Sequence, residues 1–238
     1  EIYTLSLHDA LPISFHSISE LPKGARVGIV GAGLSGIELA SELRESRTDL
    51  EIILYDRGPR ILRNFPEKLS NYIAKWFREN NVNVVPNSLI DKVEQGTIYN
   101  GGTPEPVDIV VWTAGIQPVE IVRKLPIDIN KSGRVIVNQY HQVPTYKNVY
   151  VVGDCAALPH APSAQLAEVQ GDQIADVLKK QWNHEPLPEK MPELKVQGFL
   201  GSLGEKKGFA YIMDRTVTGR LAHILKSGVL WLYKYHNG

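Results

Sequence analysis

Short apolar runs alternate with amphipathic segments along the first part of the chain. The first apolar run ends in a glycine turn, and in the segment after it leucine, isoleucine and alanine recur every three residues, as on one face of a helix. We predict strands at 27–30, 51–55 and 82–85, and helices at 35–44 and 67–79. Strands that alternate with helices of this length are typical of a parallel sheet with helices on its faces.

The pattern changes after the third strand. Residues 88–106 predict short strands around an Asn100-Gly101-Gly102 turn, which we expect to form an antiparallel flap on the sheet. A buried strand follows at 108–113, and the chain leaves it through a glycine-containing loop. Beyond this point we predict strands at 134–137 and 148–152, a helix at 163–182, a set of glycine turns at 198–204 and a terminal apolar stretch.

Composition adds few constraints to this picture. The 26 basic and 26 acidic residues balance, so no net field favours nucleic acid as a partner. Cys155 is the only cysteine, which excludes an internal disulfide, fits a reducing cytosol and predicts a small buried residue rather than a reactive one. No apolar run reaches the 18 or so residues that a membrane span needs. We therefore expect a cytoplasmic protein, with peripheral contact to the inner face of the membrane as an alternative.

The amino end does not lead into this pattern. Residues 1–14 read EIYTLSLHDALPIS and lack the basic and apolar regions of a secretion signal. They are either a foreign junction or a short amphipathic lead-in helix, and we set them apart from the fold. The predicted organisation is a linker or non-native segment at 1–20, an NAD(H)-binding domain at 21–118, half of a second domain at 119–182, and a terminal segment at 183–238.

A glycine fingerprint lies between the first predicted strand and helix, in the six residues Gly31-Ala32-Gly33-Leu34-Ser35-Gly36. Asp56 ends the next strand, 20 positions after Gly36, as the dinucleotide motif requires. In such a motif the first glycine permits a tight turn, the second admits the pyrophosphate and the third allows close helix packing. Asp56 is expected to bind the ribose 2′-hydroxyl and to favour NADH over NADPH, and the neighbouring Arg57 is expected to weaken that preference.

Two carboxylates follow on the same helix, Glu38 and Glu42. Glu42 is expected to be solvated. Glu38 lies nearer the ligand end of the helix, where it can reach the nicotinamide side.

Four ordered motifs between residues 21 and 182 resemble the FAD-dependent pyridine nucleotide-disulfide oxidoreductase superfamily. They are GxGxxGxE followed by YDRGPRIL at 55–62, VWTAGIQP at 111–118, NVYVVGDCA at 148–156, and PSAQLAEVQG at 162–171. The last of these is most similar to type II NADH dehydrogenases. The resemblance implies an α/β two-dinucleotide-binding flavoprotein fold, in which a Rossmann-like NADH-binding domain is inserted in a partial, FAD-binding Rossmann-like domain.

The resemblance also implies cofactor sites for NAD and FAD. In addition to the fingerprint residues and Glu38, Asp56 and Arg57, it assigns Ala114, Gly115, Gly153, Asp154, Ala164 and Gln165 to cofactor binding. Asp154 is expected to bind the ribityl chain of FAD. The fingerprint for the ADP half of FAD is missing from this chain, so we expect the chain alone to bind FAD poorly and to be inactive. No catalytic side chain and no metal ligands are assigned.

The implied activity is transfer of hydride from NADH to FAD and onward to an acceptor, with quinone as a candidate. Gln165, Val169 and Gln170 are the candidate quinone residues. The type II pattern has a glutamine where this chain has Val169, and that departure puts the quinone in doubt. The alternative function is a non-catalytic NAD(H)-binding sensor or assembly protein with the same fold.

The terminal stretch 221–235 is apolar and aromatic, interrupted by Lys226 and Lys234. Type II dehydrogenases end in amphipathic helices that lie on the membrane, and Trp231, Tyr233 and Tyr235 suit such an interface. The alternative is a helix packed on its own domain or on a second copy in a homodimer.

Overall fold

The computed structural model describes residues 2–4, 17–160, 162–196 and 198–237. The chain divides into two compact units, residues 1–114 together with 198–238, and residues 115–197. The terminal segment 183–238 is therefore not separate: its larger part folds with the first unit, because Leu203 and Phe209 are buried in that unit's core.

All strands of the described residues lie in the first unit. They are β1 (Ile2–Thr4), β2 (Arg26–Val30), β3 (Glu51–Tyr55), β4 (Val82–Val85), β5 (Ile90–Glu94), β6 (Thr97–Asn100), β7 (Thr103–Pro106), β8 (Ile109–Trp112), β9 (Gly198–Leu203), β10 (Lys207–Ile212) and β11 (Arg215–Gly219). The helices are α1 (Leu34–Ser46), α2 (Glu67–Glu79), α3 (Glu120–Arg123), α4 (Ala164–Trp182) and α5 (Arg220–Asn237). Of these, α3 and α4 belong to the second unit.

A five-stranded parallel sheet organises the first unit, in the order β1-β8-β2-β3-β4. The predicted strand–helix alternation is confirmed, and β3, α2 and β4 have the predicted bounds. The apolar runs of β2 and β3 are almost wholly buried, as expected for central strands of a parallel sheet. The core contains side chains from both strands and both helices, including Ile29, Leu54, Ile37, Ile73 and Phe77, none of which is exposed.

The edge strand β1 was not expected, since residues 1–14 were set apart from the fold. Residues 2–4 pair in parallel with 110–112 of β8, so this short piece takes part in the sheet. Residues 5–14 lie outside the described part of the chain, and the foreign origin of the segment stays a prediction.

The predicted antiparallel flap is confirmed as β5, β6 and β7. Tyr55, at the end of β3, fastens it to the parallel sheet, because its buried hydroxyl donates to Glu105 Oε2 at 2.7 Å. Burial, and then the hydrogen bond to the Glu105 carboxylate, raise the pKa of the Tyr55 phenol. The proton therefore stays on the phenol at neutral pH, and the bond to the flap is charge-assisted.

A second antiparallel sheet, β9-β10-β11, occupies the region where glycine turns were predicted. Of the residues predicted to form turns, 198–203 form a strand, and Gly204 alone lies in the turn that follows the strand. The turn prediction was wrong because these glycines serve packing: a Cβ at Gly201 would overlap the ring of Phe209 on the neighbouring strand. Phe199 of the same strand makes an edge-to-face contact with Phe65, with ring centroids 4.9 Å apart.

The second unit has little regular structure besides α4. The strands predicted at 134–137 and 148–152 are wrong, since these segments make only isolated bridges, such as Val135 with Ala156 and Gln142 with Tyr150. Alternating apolar residues favour strands, but a ladder also needs a neighbouring strand of matching length. Within the described part of 115–197 no such neighbour is present.

Across the described ranges, none of the helices is both long enough and apolar enough to cross a bilayer. The backbone of α5 is helical from Arg220 to Asn237, as both alternatives for the terminal stretch require. Trp231, Tyr233 and Tyr235 lie outside the residues whose side chains the structure describes.

The burial of Phe209 makes the attachment of the C-terminal sheet testable. Replacing Phe209 by Ala leaves a cavity where a ring is 1% exposed, and should lower the free energy of unfolding of the first unit by about 3–5 kcal/mol. Urea unfolding followed by circular dichroism measures the change. Met213→Ala, at a side chain that is 86% exposed, is the control and should change it by less than about 0.5 kcal/mol. Equal effects of the two substitutions would contradict the packing described.

Candidate dinucleotide-binding site

The glycine loop between β2 and α1 is closed tightly against the end of β8. Gly31 has φ +110°, and a Cβ there would lie 2.9 Å from the backbone nitrogen of Ala114. Gly36 approaches from the helix side, where a Cβ would overlap the carbonyl oxygen of Gly31. These two glycines are therefore required by the protein's own backbone, as the motif predicts for its first and third positions.

Gly33 differs from the other two glycines of the loop. It is the N-cap of α1 in an extended conformation, and no atom lies within 4 Å of the position of a Cβ. No side chain caps the helix, and its first turn contains no acidic residue. The unpaired amides of this turn and the positive end of the helix dipole thus face open space, which is the arrangement that binds phosphate.

Asp56, directly after β3, holds the glycine loop in place. Its Oδ2 accepts a hydrogen bond from the backbone N–H of Ala32 at 2.7 Å, and its Oδ1 accepts one from Gly58 at 2.7 Å. Leu62 completes the attachment, because its N–H donates to the carbonyl of Ala32 at 3.1 Å. We call these two bonds to Ala32, from Asp56 and from Leu62, the Ala32 clasp. The carboxylate therefore has a structural role in addition to the ribose contact predicted for it.

Residues that the sequence did not single out support the segment after Asp56. The N–H of Ser88 donates to the carbonyl of Asp56 at 2.8 Å, and that of Asn87 donates to the carbonyl of Gly58 at 2.9 Å. Ser88 is buried, and its hydroxyl also donates to the carbonyl of Val85. The connection between β4 and the flap therefore supports the backbone of the segment that carries the Asp56 carboxylate. A serine in a loop gives no signal of such a role in sequence.

Arg60 supports the same segment from the other side. Its guanidinium donates to the carbonyls of Leu62 at 3.1 Å, Arg63 at 2.9 Å and Phe65 at 2.8 Å, and to the hydroxyl of Ser70. The predicted cofactor residue Arg57, in contrast, is exposed.

Glu38 does not lie free at the ligand end of the helix, as was expected. Its Oε1 is 2.5 Å from Nζ of Lys226 on α5 and accepts from the N–H of Ser202 on β9 at 2.8 Å. Two turns further along α1, Glu45 accepts from the N–H of Glu205. These carboxylates therefore fasten the C-terminal sheet and helix to α1, and the nicotinamide contact assigned to Glu38 has to compete with Lys226. Glu42 is exposed to solvent, but partial desolvation, followed by the nearby charge of Glu45, raises the pKa of its carboxyl.

In the second unit, the Gly-Asp motif forms a single 3₁₀ turn, Gly153–Cys155. Gly153 has φ +68°, and its N–H donates to Oε1 of Gln170 on α4 at 2.6 Å. Gln170 is 2% exposed, so its amide is used inside the unit. This side chain positions the turn that presents Asp154 and also lines the pocket described below, and its assignment to a quinone site stays a prediction.

Helical spacing separates the other candidates on α4 from Gln170. Leu166, Gln170, Gln173 and Val177 form the buried face of the helix. Gln165 and Val169 are one turn apart on a different face, where Gln165 is exposed and Val169 half-buried. Ala164 is exposed at the start of the helix, which Ser163 caps by accepting a hydrogen bond from the N–H of Leu166.

A small pocket lies beside this helix start. It is lined by Gly153, Pro162 and Ser163, among others, and by Arg134. Nε of Arg134 is buried and has no hydrogen-bond partner among the described residues. An unsatisfied buried donor is costly without an acceptor, so the pocket suits a ligand that carries oxygen atoms.

The sequence of residues 6–171 matches the pyridine nucleotide-disulphide oxidoreductase family. The match covers more than half of the chain and includes both the glycine loop and the Gly-Asp turn. The chain belongs to this family. Its members are oxidoreductases, as the resemblance implied.

Individual relatives agree with this assignment. The chain is 52% identical over 236 residues to the NADH dehydrogenase-like protein YutJ of Bacillus subtilis, covering 99% of this chain and 66% of the relative. It is 27% identical over 238 residues to a type II NADH:quinone oxidoreductase of Haemophilus influenzae, covering 88% of this chain and 52% of the relative. The chain thus spans only about half to two thirds of the length of these curated relatives.

Solved structures show the same fold. A sulfide:quinone oxidoreductase from Aquifex aeolicus superposes with a TM-score of 0.81 at 16% identity, covering 99% of this chain and 64% of that one. NDH2 of Plasmodium falciparum in complex with NADH gives 0.78 at 16% identity, covering 96% and 69%. The α/β two-dinucleotide-binding fold class predicted from the motifs is confirmed.

The hydrogen bond between Gln170 and Gly153 gives a prediction for the second unit. Gln170→Met preserves shape but leaves the Gly153 N–H without its acceptor, which should lower the free energy of unfolding of this unit by about 1–2 kcal/mol. Hydrogen exchange of the backbone amides of α4, read by mass spectrometry, measures the change. Lys179→Met, at an exposed position of the same helix, is the control and should change it by less than about 0.5 kcal/mol. A Gln170→Met variant as stable as this control would assign the glutamine to a ligand instead.

Proposed function

We propose that the protein containing this chain is an FAD-dependent NADH:acceptor oxidoreductase, with quinone as the acceptor. The observation that carries the proposal is the glycine loop. The protein's own backbone occupies the space beside two of its glycines. The third, Gly33, faces open space at an uncapped helix start. A structural turn needs no such opening, whereas a pyrophosphate does.

The first unit fits the adenosine half of NADH. The amides at the start of α1 would hold the pyrophosphate, and Asp56 would accept a hydrogen bond from the ribose. Both Asp56 oxygens already accept one bond each, and a carboxylate oxygen can accept a second. The carboxylate is thereby fixed in position before the nucleotide arrives, so little ordering is left to be done on binding.

The second unit fits part of FAD. Asp154 would bind the ribityl chain, and the unpartnered Nε–H of Arg134 and the amides at the start of α4 would donate hydrogen bonds to oxygen atoms of the same ligand. When bound, FAD supplies the chemistry of accepting hydride from NADH and returning electrons to the acceptor. The chain's own contribution is geometric: Gln170 fixes the Gly153 turn, and the turn presents Asp154.

Quinone is proposed as the acceptor because similar proteins from Haemophilus influenzae and Staphylococcus aureus are type II NADH:quinone oxidoreductases. Gln165 and Val169 share one face of α4 and are the preferred candidates for contact with it. Gln170 is a weaker candidate, because its Oε1 already accepts a hydrogen bond from the N–H of Gly153. An NAD(H)-binding protein without an acceptor site is the second candidate, and the apolar Val169 is the observation that favours it.

Contact with a membrane surface through α5 is part of the same proposal. Leu221 and Ile224 are exposed on this helix, at 61% and 64%. Lys226 is not available for lipid headgroups, since it is paired with Glu38. The exposed apolar residues equally suit a second copy of the chain in a homodimer.

The openness of Gly33 allows the nucleotide site to be blocked without disturbing the protein. Gly33→Val places a side chain where the structure has no atom within 4 Å, and should weaken NADH binding at least tenfold. The poorer N-cap should lower the free energy of unfolding by only about 1 kcal/mol. Calorimetry on the chain measures the affinity. Gly171→Ala, at another open glycine, is the control and should bind NADH like the unsubstituted chain. Undiminished NADH binding by Gly33→Val would remove the glycine loop from the site.

The acceptor is tested in the complete protein. Val169→Gln adds one hydrogen-bonding amide, worth about 0.5–1.5 kcal/mol, and should improve menaquinone-analogue reduction roughly three- to tenfold. Ferricyanide reduction, which needs no such contact, should be unchanged. Ala175→Gln adds the same amide on another face of α4 and serves as the control. A protein that reduces ferricyanide well but no quinone, with or without Val169→Gln, would contradict quinone as the acceptor.

A further inference from the structure

Thr113 follows β8 directly, and none of the cofactor contacts proposed above involves it. Its Oγ1 donates to the carbonyl oxygen of Gly31 at 2.9 Å and lies 3.0 Å from that of Val30. The Val30 carbonyl already accepts the backbone N–H of Thr113 at 2.9 Å. Among the described residues the Gly31 carbonyl receives no backbone hydrogen bond, so the single hydroxyl proton is needed there.

The hydroxyl of Thr113 occupies space that Gly36 leaves open. A Cβ on Gly36 would lie 2.8 Å from Thr113 Oγ1 and would overlap the carbonyl oxygen of Gly31. Gly31 is itself buried, and a buried carbonyl without a donor is costly. The missing side chain at Gly36 therefore makes room for a hydrogen bond between the end of β8 and the glycine loop.

This bond and the Asp56 bond act on one peptide unit. The carbonyl of Gly31 and the N–H of Ala32 lie in the same peptide plane. Thr113 donates to that carbonyl, and Asp56 Oδ2 accepts that N–H at 2.7 Å. The plane is therefore held at both ends, by the residue after β8 and by the residue after β3.

The orientation of this peptide has to be held because glycine does not hold it. Gly31 has φ +110°, and a glycine adopts positive and negative φ about equally well. If the plane turned over, the Gly31 carbonyl oxygen would point towards the Asp56 carboxylate and the Ala32 N–H would point away from it. Ala32 directly precedes Gly33, so the open start of α1 would change shape as well.

We propose that Thr113 is a positioning residue of the nucleotide site, whose hydroxyl holds the Gly31–Ala32 peptide so that the start of α1 stays open to the pyrophosphate. This inference rests on the proposed function, because it requires the pyrophosphate to lie at Gly33. The hydroxyl acts through the backbone of the loop. It orders the loop before the nucleotide arrives, and so lowers the ordering cost that binding has to meet.

Three substitutions separate the hydroxyl from the shape of the side chain. Thr113→Val keeps the shape and removes the hydroxyl, and Thr113→Ser keeps the hydroxyl and removes the methyl group. Thr113→Ala also removes the hydroxyl, but places no methyl group against the Gly31 carbonyl. Thr103→Val, at an exposed threonine of β7, is the matched control. Calorimetry on the chain measures Kd for NADH with each variant, and circular dichroism verifies that each is folded.

Thr113→Val and Thr113→Ala should each weaken NADH binding about three- to tenfold, the range expected for one lost hydrogen bond. Thr113→Ser and Thr103→Val should stay within about twofold of the unsubstituted chain, because the hydroxyl bond to Gly31 is kept in both. Rescue by serine distinguishes the hydroxyl from the bulk of the side chain.

Hydrogen exchange without nucleotide reports on the loop itself. The amides of residues 32–35 should exchange faster in Thr113→Val than in the unsubstituted chain, whereas those of α2 should be unchanged. Saturating NADH should restore the protection of residues 32–35, since the nucleotide then orders the loop. Equally faster exchange in α2 would indicate general destabilisation and overturn the inference.

NADH binding by Thr113→Val and Thr113→Ala as tight as that by Thr113→Ser would also overturn the inference. So would an equal loss of affinity in all three variants, because shape and not the hydroxyl would then matter. The proposed function would stand in these cases as long as Gly33→Val still blocks binding. An unsubstituted chain that binds no NADH would contradict the proposed function itself, and the inference with it.

Discussion

The two hydrogen bonds of the Ala32 clasp are the constraint on which the nucleotide site depends. Ala32 sits between the two glycines that give the loop its shape, and bonds from Asp56 and Leu62 fix its backbone on both sides. Without them, the flexible glycine backbone would have to be ordered by the nucleotide at the expense of affinity. The same segment is also held by hydrogen bonds from the N–H groups of Asn87 and Ser88 and from the guanidinium of Arg60. Three sets of hydrogen bonds therefore fix one short stretch of loop.

The carboxylate of Asp56, directly after β3, thus has two roles. One oxygen orders the glycine loop and the other orders the turn that carries Arg57 and Arg63, while both keep capacity for the ribose. Substitutions at Asp56 should therefore change the order of the loop as well as the proposed choice of cofactor, and stability must be measured together with specificity. The C-terminal sheet and helix add further support along α1, where Glu38 pairs with Lys226 and Glu45 accepts from the N–H of Glu205.

The sequence predicts this part of the fold well because each signal is local. A buried run, a glycine turn and an amphipathic helix determine β2, α1, β3 and α2 almost residue by residue. The failures involve partners distant in sequence. Residues 134–137 have the composition of a strand but no neighbouring strand. Gly201 suggests a turn in the sequence, whereas in the structure it leaves room for the ring of Phe209. Glu38 could not be assigned because its partner, Lys226, is 188 positions away. Gln170 could have been assigned, since helical spacing places it with Leu166 and Val177 on the buried face of α4.

A crystal structure of the chain with NADH tests the central claim most directly, namely that the open helix start at Gly33 holds the pyrophosphate. The account predicts pyrophosphate oxygens within hydrogen-bonding distance of the amides at the start of α1, and an adenosine ribose hydroxyl on Asp56 with its bonds to Ala32 and Gly58 still in place. NADH bound away from Gly33, or a glycine loop whose Asp56–Ala32 bond is broken on binding, would contradict it.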